Sequence, residues 1–318
     1  MPLPDNLEAI RAKVSNWGRW GDDDQIGTAN LLTSDVARRG AAAVRSGRQF
    51  SLALDLDAYG PQVGQPPRRM NAFLTMTTLN ERDAHAPGMY AASDDLVTMS
   101  TCAGTHIDGL SHVTYDGLMY NGFPATDVTV AAGARTCGVE TLPPIVTRGV
   151  LLDIAALKGV DRLDEVDPGY AITAADLDAA AEREGITVES GDAVLVRTGE
   201  MRHFKAGDRH RYALGDSYRF PGLSVHSVEW FFAHDVAAVF ADTYAFESFP
   251  PSSPDWSDTL AVHMLHIRDM GLIQGQNWDL EELAVDCAAD GHYDFLLVAA
   301  PEPITGATSA PVSPVAVK

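Results

Sequence analysis

Residues 102–112 read Cys102-Ala103-Gly104-Thr105-His106-Ile107-Asp108-Gly109-Leu110-Ser111-His112, and the whole reading of the chain turns on them. On an extended backbone alternate side chains leave the same face, so His106 and Asp108 project together. Gly109 allows a bend after the carboxylate that would return His112 to the pair. Imidazole with carboxylate is a donor set that suits Zn²⁺, Mn²⁺ or Fe²⁺. Spacing alone equally admits two partly buried, hydrogen-bonded histidines with Asp108 capping a turn.

The rest of the chain limits the classes open to it. At 318 residues it can bury a large core. Net charge is −21 and the pI about 4.6, a balance that argues against a nucleic acid or an anionic membrane surface as partner. The N-terminus lacks an apolar signal core, and no apolar run reaches the roughly 18 residues of a membrane span. Three scattered cysteines, Cys102, Cys137 and Cys287, do not make a disulfide framework. These features predict a cytoplasmic protein.

Apolar patterning predicts one α/β domain over 1–318. The first 32 residues read as irregular, clamped by Trp17 and Trp20. Thr33-Ser34 starts a helix through Val36–Val44 that stops at Gly47, with Gly40 as a weak point inside it. Strands are predicted at Phe50–Asp57, Leu96–Ser100, Arg148–Asp153, Gly191–Thr198 and Val236–Asp242, with a loop at 60–71. Thr173–Glu184 carries a capping box and exits at Gly185, and Val225–His234 is a further helix. Continuous apolar strands between amphipathic helices indicate a mixed sheet covered by helices. The tail, 300–318, rich in Pro, Ser, Thr and Gly, predicts an extended or frayed C-terminal arm.

The stretch 102–112 resembles the hallmark His-x-Gly-Thr-His-x-Asp-x-x-x-His of the cyclase-like metal-dependent hydrolases, a family that includes bacterial arylformamidase and isatin hydrolase. Further blocks match along nearly the whole chain: Trp20-Gly21-Asp22 with Gly27–Leu32, Tyr115-Asp116-Gly117, Tyr120-Asn121-Gly122, Val194–Gly199, Pro221-Gly222-Leu223, Ala241-Asp242-Thr243, Val262–Leu283 and Ser313–Lys318. Tyr115 and Tyr120 lie in blocks that look like the longer-chain branch. The resemblance implies the swivelling β/β/α fold of that family, a homodimer or homotetramer, a small aromatic or cyclic substrate, and Mn²⁺ or Zn²⁺ as cofactor.

Carried over residue by residue, the resemblance implies that His106 and Asp108 bind the metal and that His112 is a ligand or the proton-transfer group beside it. His263 completes or flanks the site. Gln276 stands where arylformamidase-like members tend to have glutamate; an amide there is similar to the isatin-hydrolase-like arrangement, which favours one metal, Mn²⁺-like, over a two-zinc cluster. Cys102 replaces the hallmark's first histidine, and a thiolate suits Zn²⁺ far better than Mn²⁺. Phe73, Tyr115, Tyr120 and Trp20 are expected as an aromatic wall for a planar substrate. Arg197 could meet a substrate carboxylate but is expected to pair with an acid such as Asp242 for structural reasons, and Ser224 could relay a proton but is expected to cap a helix.

The implied reaction is hydrolysis of a non-peptide C–N bond in a cyclic or aryl amide by metal-activated water, with His112 protonating the leaving nitrogen. Alternatives are a lyase, cyclase, or lactone or ester hydrolase on the same site. A non-haem iron oxygenase using His106, Asp108 and His263, or a degenerate binder, fits the donor set less well.

Overall fold

Apolar runs without alternation need cover on both faces, and the chain meets that need with a nine-stranded mixed sheet. The computed structural model describes residues 5–64, 68–86, 88–251 and 260–318. Four strands run parallel at the sheet's centre: Ile145–Asp153, Ala193–Arg197, Ala238–Ala241 and Ile273–Gln276. Asp294–Ala299, Val315–Val317 and Gln49–Ser51 extend one side antiparallel. On the other side His106–Asp108 pairs antiparallel with Ile273–Gln276, and Ser309–Pro311 closes the edge beyond it. The fold is mixed α/β, as the patterning predicts. Two large apolar clusters centre on the strands, one around Val150, Val194, Val239 and Phe231, the other around Leu151, Leu195, Phe240 and Trp278.

Helix Ser34–Ala42 begins where Thr33 Oγ1 accepts from Val36 N at 3.3 Å. Its Gly40 is a packing requirement rather than a weakness. A Cβ there would stand 2.5 Å from the carbonyl carbon of Thr147, so only glycine lets this helix lie on the central strand. Helix Ala174–Glu184 carries the predicted capping box between Thr173 and Asp176 and ends at left-handed Gly185.

Several expectations need correction. The first 32 residues are not wholly irregular: Asp5–Val14 is a helix that buries Leu7 and Val14, a spacing obscured by the Trp- and Gly-rich run that follows. Trp17 does clamp this region, its indole donating to Arg268 O at 2.7 Å. Trp20 instead stacks beneath Arg19. The strand expected over Phe50–Asp57 ends at Ser51, after which single bonds from Leu52 N to Pro314 O and from Leu54 N to Thr105 Oγ1 hold the chain. Leu96–Thr98 belongs to strand Ala91–Thr98, which pairs with Phe73–Arg82 in a separate ribbon exposed on both faces. The predicted loop at 60–71 falls partly outside the described residues, at 65–67. Val225–His234 divides into a 3₁₀ turn, Val225–Ser227, and helix Val228–Ala233.

The tail is extended, one of the two expected alternatives, and packed where fraying was the other: Ser309–Pro311 and Val315–Val317 are sheet strands, with Ala310 and Ala316 fully buried. Prolines interrupt their short alternations: Pro311 sits in the edge strand, and Pro314 just precedes Val315–Val317, which is paired on both sides.

Candidate metal centre

Strand register builds the site. Gln276 pairs with His106 and Gln274 with Asp108, so four polar side chains from two adjacent strands share one face. All four are buried. Gly275, between the glutamines, lets the strands approach: a Cβ there would lie 2.3 Å from His106 O. Asn277, in the left-handed region after the strand, donates to Gly104 O at 3.0 Å, and Thr105 Oγ1 donates to Asn277 O at 2.6 Å. These bonds lock the segment entering the motif against the segment leaving its neighbour.

Hydrogen bonding then fixes which atoms are free. His106 Nδ1 lies 2.8 Å from Gly104 O, so Nδ1 carries the proton and Nε2 presents its lone pair. That Nε2 is buried with no hydrogen-bond partner among the described residues, and so are Asp108 Oδ1 and Gln276 Oε1. Both His106 Nε2 and His112 Nε2 stand 3.7 Å from Asp108 Oδ1, close enough to share a cation but too far to bond directly. Gln276 Nε2 donates to Asp108 Oδ2 at 3.0 Å, leaving Oδ1 open. The donor atoms of Cys102, His106 and Asp108 lie within 4.8 Å of one another. An unpaired buried polar atom costs about 1–3 kcal/mol, so convergent orphans of this kind fit a cation.

Electrostatics support the same set. Burial opposes the Asp108 carboxylate, but His112, His106 and His263 outweigh it and hold its pKa down to about 2. Cys102 is raised by burial, yet neighbouring His106 brings it below its ordinary value. Burial holds His112 below its ordinary value, only partly offset by Asp108. Cys102 Sγ also lies 2.8 Å from Ser309 Oγ.

His263 sits where helix Ala261–His263 passes into a π-helix, Met264–Met270, an irregularity frequent at functional sites. Its Nδ1 is 2.5 Å from Glu247 Oε1 and its Nε2 3.2 Å from Gln276 Nε2. Glu247 also accepts from Val262 N and His263 N. Sequence reasoning misses Glu247, because nothing in the spacing links it to a histidine 16 residues on.

The structure thus brings together Cys102, His106, Asp108, His112, His263 and Gln276. Three residues of the expected aromatic wall are engaged with other partners, and Phe73 lies at the start of the exposed ribbon. Tyr120 is buried with its hydroxyl on Asp24 at 2.9 Å and its ring beneath Gly271. Tyr115 bonds Asp269 and lies under the Arg268 guanidinium. Trp20 is stacked with Arg19, and Phe73 opens the exposed ribbon. Aromatic residues near a motif in sequence were here recruited by local core and ion-pair packing.

Arg197 pairs structurally with acids as expected, though with Glu281 and Asp153, while Asp242 accepts from Thr198 and Gly199. Ser224 occupies a cap position but donates to Ile172 O. A second trio, Asp164, Glu200 and His203, has metal-like spacing. It is already satisfied, since Asp164 takes Arg162, Arg211 and His203.

With this geometry in place, comparison with known proteins identifies the class. The Cyclase family model matches residues 49–248, and the chain belongs to that family. A crystal structure of a novel cyclase is 34% identical, with TM-score 0.86 over 97% of this chain and 99% of that one. An isatin hydrolase bound to the product analogue thioisatinate superposes with TM-score 0.62 at 19% identity, covering 90% and 98%. Isatin hydrolase A from Labrenzia aggregata, bound to benzyl benzoate, gives TM-score 0.62 at 20% identity, covering 90% and 97%. The last two establish likeness of fold. No curated protein matches the chain significantly. Among the described residues no helix is long and apolar enough to cross a membrane.

Proposed function

We propose that the chain is a divalent-metal-dependent hydrolase that opens the C–N bond of a cyclic or aryl amide. The observation that carries this reading is the set of buried, unpaired atoms His106 Nε2, Asp108 Oδ1 and Gln276 Oε1 beside the Cys102 thiol. A cation held there supplies Lewis acidity toward a carbonyl oxygen and a lowered pKa for water. The thiol in the set favours Zn²⁺ over Mn²⁺. The isatin hydrolases of like fold support a lactam or related amide as substrate.

The chain's own residues supply the proton transfers. His112, lowered in pKa by burial and facing Asp108, takes a proton from attacking water and returns it to the leaving nitrogen. Glu247 accepts from His263 Nδ1 and so directs Nε2 toward Gln276. Gln276 in turn holds Asp108 through Oδ2.

The test is metal analysis of the purified protein together with turnover of N-formyl anilines, isatin-like lactams, aryl esters and lactones. Metal-dependent cleavage of amides or lactams is the expected result. Cleavage confined to esters and lactones would move the protein to ester chemistry, and none at all would end the hydrolase reading.

A further inference from the structure

The edge strand near the C-terminus carries a group that the proposed chemistry does not use. Ser309 pairs with Asp108 in strand register and is buried. Its Oγ lies 2.8 Å from Cys102 Sγ and 2.8 Å from Thr101 Oγ1. The strand is tied down on both sides of this hydroxyl. Gly109 N donates to Thr308 O at 2.9 Å, and Val312 N donates to Thr105 O at 3.2 Å. Cys102 is fixed as well: its carbonyl accepts from Gln62 Nε2 at 3.0 Å, and Ala103 N donates to Ser100 O at 2.9 Å. The contact between sulfur and hydroxyl is therefore set by the backbone and not by two free rotors.

Counting protons orders the three groups. A cysteine that holds a cation does so as a thiolate, which accepts hydrogen bonds and donates none. Ser309 then donates to Sγ and Thr101 donates to Ser309 Oγ, so each proton has an acceptor. With a neutral thiol the line runs the other way. The S–H donates to Ser309, Ser309 donates to Thr101, and the Thr101 proton needs an acceptor beyond the trio. The arrangement is thus closed when the sulfur binds a cation. Donor atoms of Cys102, His106 and Asp108 lie within 4.8 Å of one another, and His106 Nε2 and Asp108 Oδ1 are buried without a partner among the described residues.

We propose that Cys102 is a ligand of the metal and that Ser309 is its positioning residue, donating through Oγ to the coordinated sulfur. The inference rests on the metal-centre reading above and adds the strand Ser309–Pro311 to that centre. A hydrogen bond to the sulfur fixes the direction of its lone pairs and steadies its charge. Ser309 thereby sets the preference of the site for a cation that takes sulfur, Zn²⁺, over one that does not, Mn²⁺. Thr101 supports it by turning the Ser309 proton toward Cys102.

The test loads the full chain with Co²⁺ and reads its absorption spectrum, together with Zn²⁺ and Mn²⁺ affinities by competition titration. A thiolate ligand gives Co²⁺ an intense near-ultraviolet charge-transfer band that nitrogen and oxygen ligands do not give. Wild type should show this band, and Cys102→Ser should lose it. Ser309→Ala should keep the band but move it to longer wavelength, because the sulfur electrons lose the hydrogen bond that stabilises them. The same variant should bind Zn²⁺ about 10- to 100-fold more weakly. Its Mn²⁺ affinity, which owes little to a thiolate, should stay within about threefold of wild type. Ser309→Thr keeps the hydroxyl and should restore both band position and Zn²⁺ affinity. Bound Co²⁺ without the band in wild type would overturn the proposal and leave the metal centre standing. So would an unshifted band in Ser309→Ala, or equal weakening of Zn²⁺ and Mn²⁺, the mark of a strand that only packs. A wild type that takes up none of the three ions would end both readings.

Discussion

Glu247 Oε1 lies 2.5 Å from His263 Nδ1, both groups buried, and the same carboxylate caps two backbone N–H groups at the start of the helix that carries the histidine. The carboxylate therefore sets both the ring's tautomer and its position. Glu247→Gln keeps an acceptor for Nδ1 but removes the charge, and turnover should fall about 10- to 100-fold with metal content unchanged. Steady-state kinetics with elemental analysis check this; full activity in the variant would remove Glu247 from the site's support.

His112 faces Asp108 from 3.7 Å and is partly exposed, whereas His106 is buried. The difference separates proton transfer from metal binding. His112→Ala should cut turnover about 10²–10⁴-fold, the usual worth of general acid–base help, with metal retained. Equal loss of metal in His112→Ala and His106→Ala would make both histidines ligands.

His266 is buried edge-on to Phe231 and Phe246, with neither ring nitrogen hydrogen-bonded by geometry among the described residues, and burial pushes its pKa down to about 3 from an ordinary 6.5. The unfolded chain accepts a proton that the native chain refuses. The contribution is therefore fully present above pH 6.5 and is lost as pH falls toward 3, by up to about 5 kcal/mol. His266→Leu should flatten the acid limb of the stability profile in urea unfolding between pH 7 and 4. Identical slopes for variant and wild type would show that His266 is protonated in the native state.

Gly275 separates Gln274 from Gln276 and leaves room for His106 O. Gly275→Ala should cost about 1–3 kcal/mol through overpacking and weaken metal binding by pushing the motif strand away. Thermal unfolding and a metal titration measure both effects, and a variant unchanged in both would contradict the strand packing described.

Much of this was legible in sequence for physical reasons. Val194, Leu195 and Val196 are adjacent, apolar and β-branched in part, as a short strand covered on both faces requires, and Thr173 with Asp176 marks a helix start. His106 and Asp108 share a face because strand periodicity is two. What failed was long-range. Tyr115 and Tyr120 are near the motif in sequence, yet Asp269 and Asp24 claim their hydroxyls. The tail's short alternations around Ala310 and Ala316 carry too little signal to outweigh their prolines, although sheet neighbours bury both residues completely. Glu247 belongs to the site through a contact with His263 that no local spacing encodes.

The central claim is most directly tested by metal stoichiometry in wild type, His106→Ala and Asp108→Ala, measured by elemental analysis after dialysis with limiting Zn²⁺ or Mn²⁺. The account predicts about one equivalent bound to wild type, with Zn²⁺ preferred, and none retained by either folded variant. Full occupancy in both variants, or none in wild type, would contradict it.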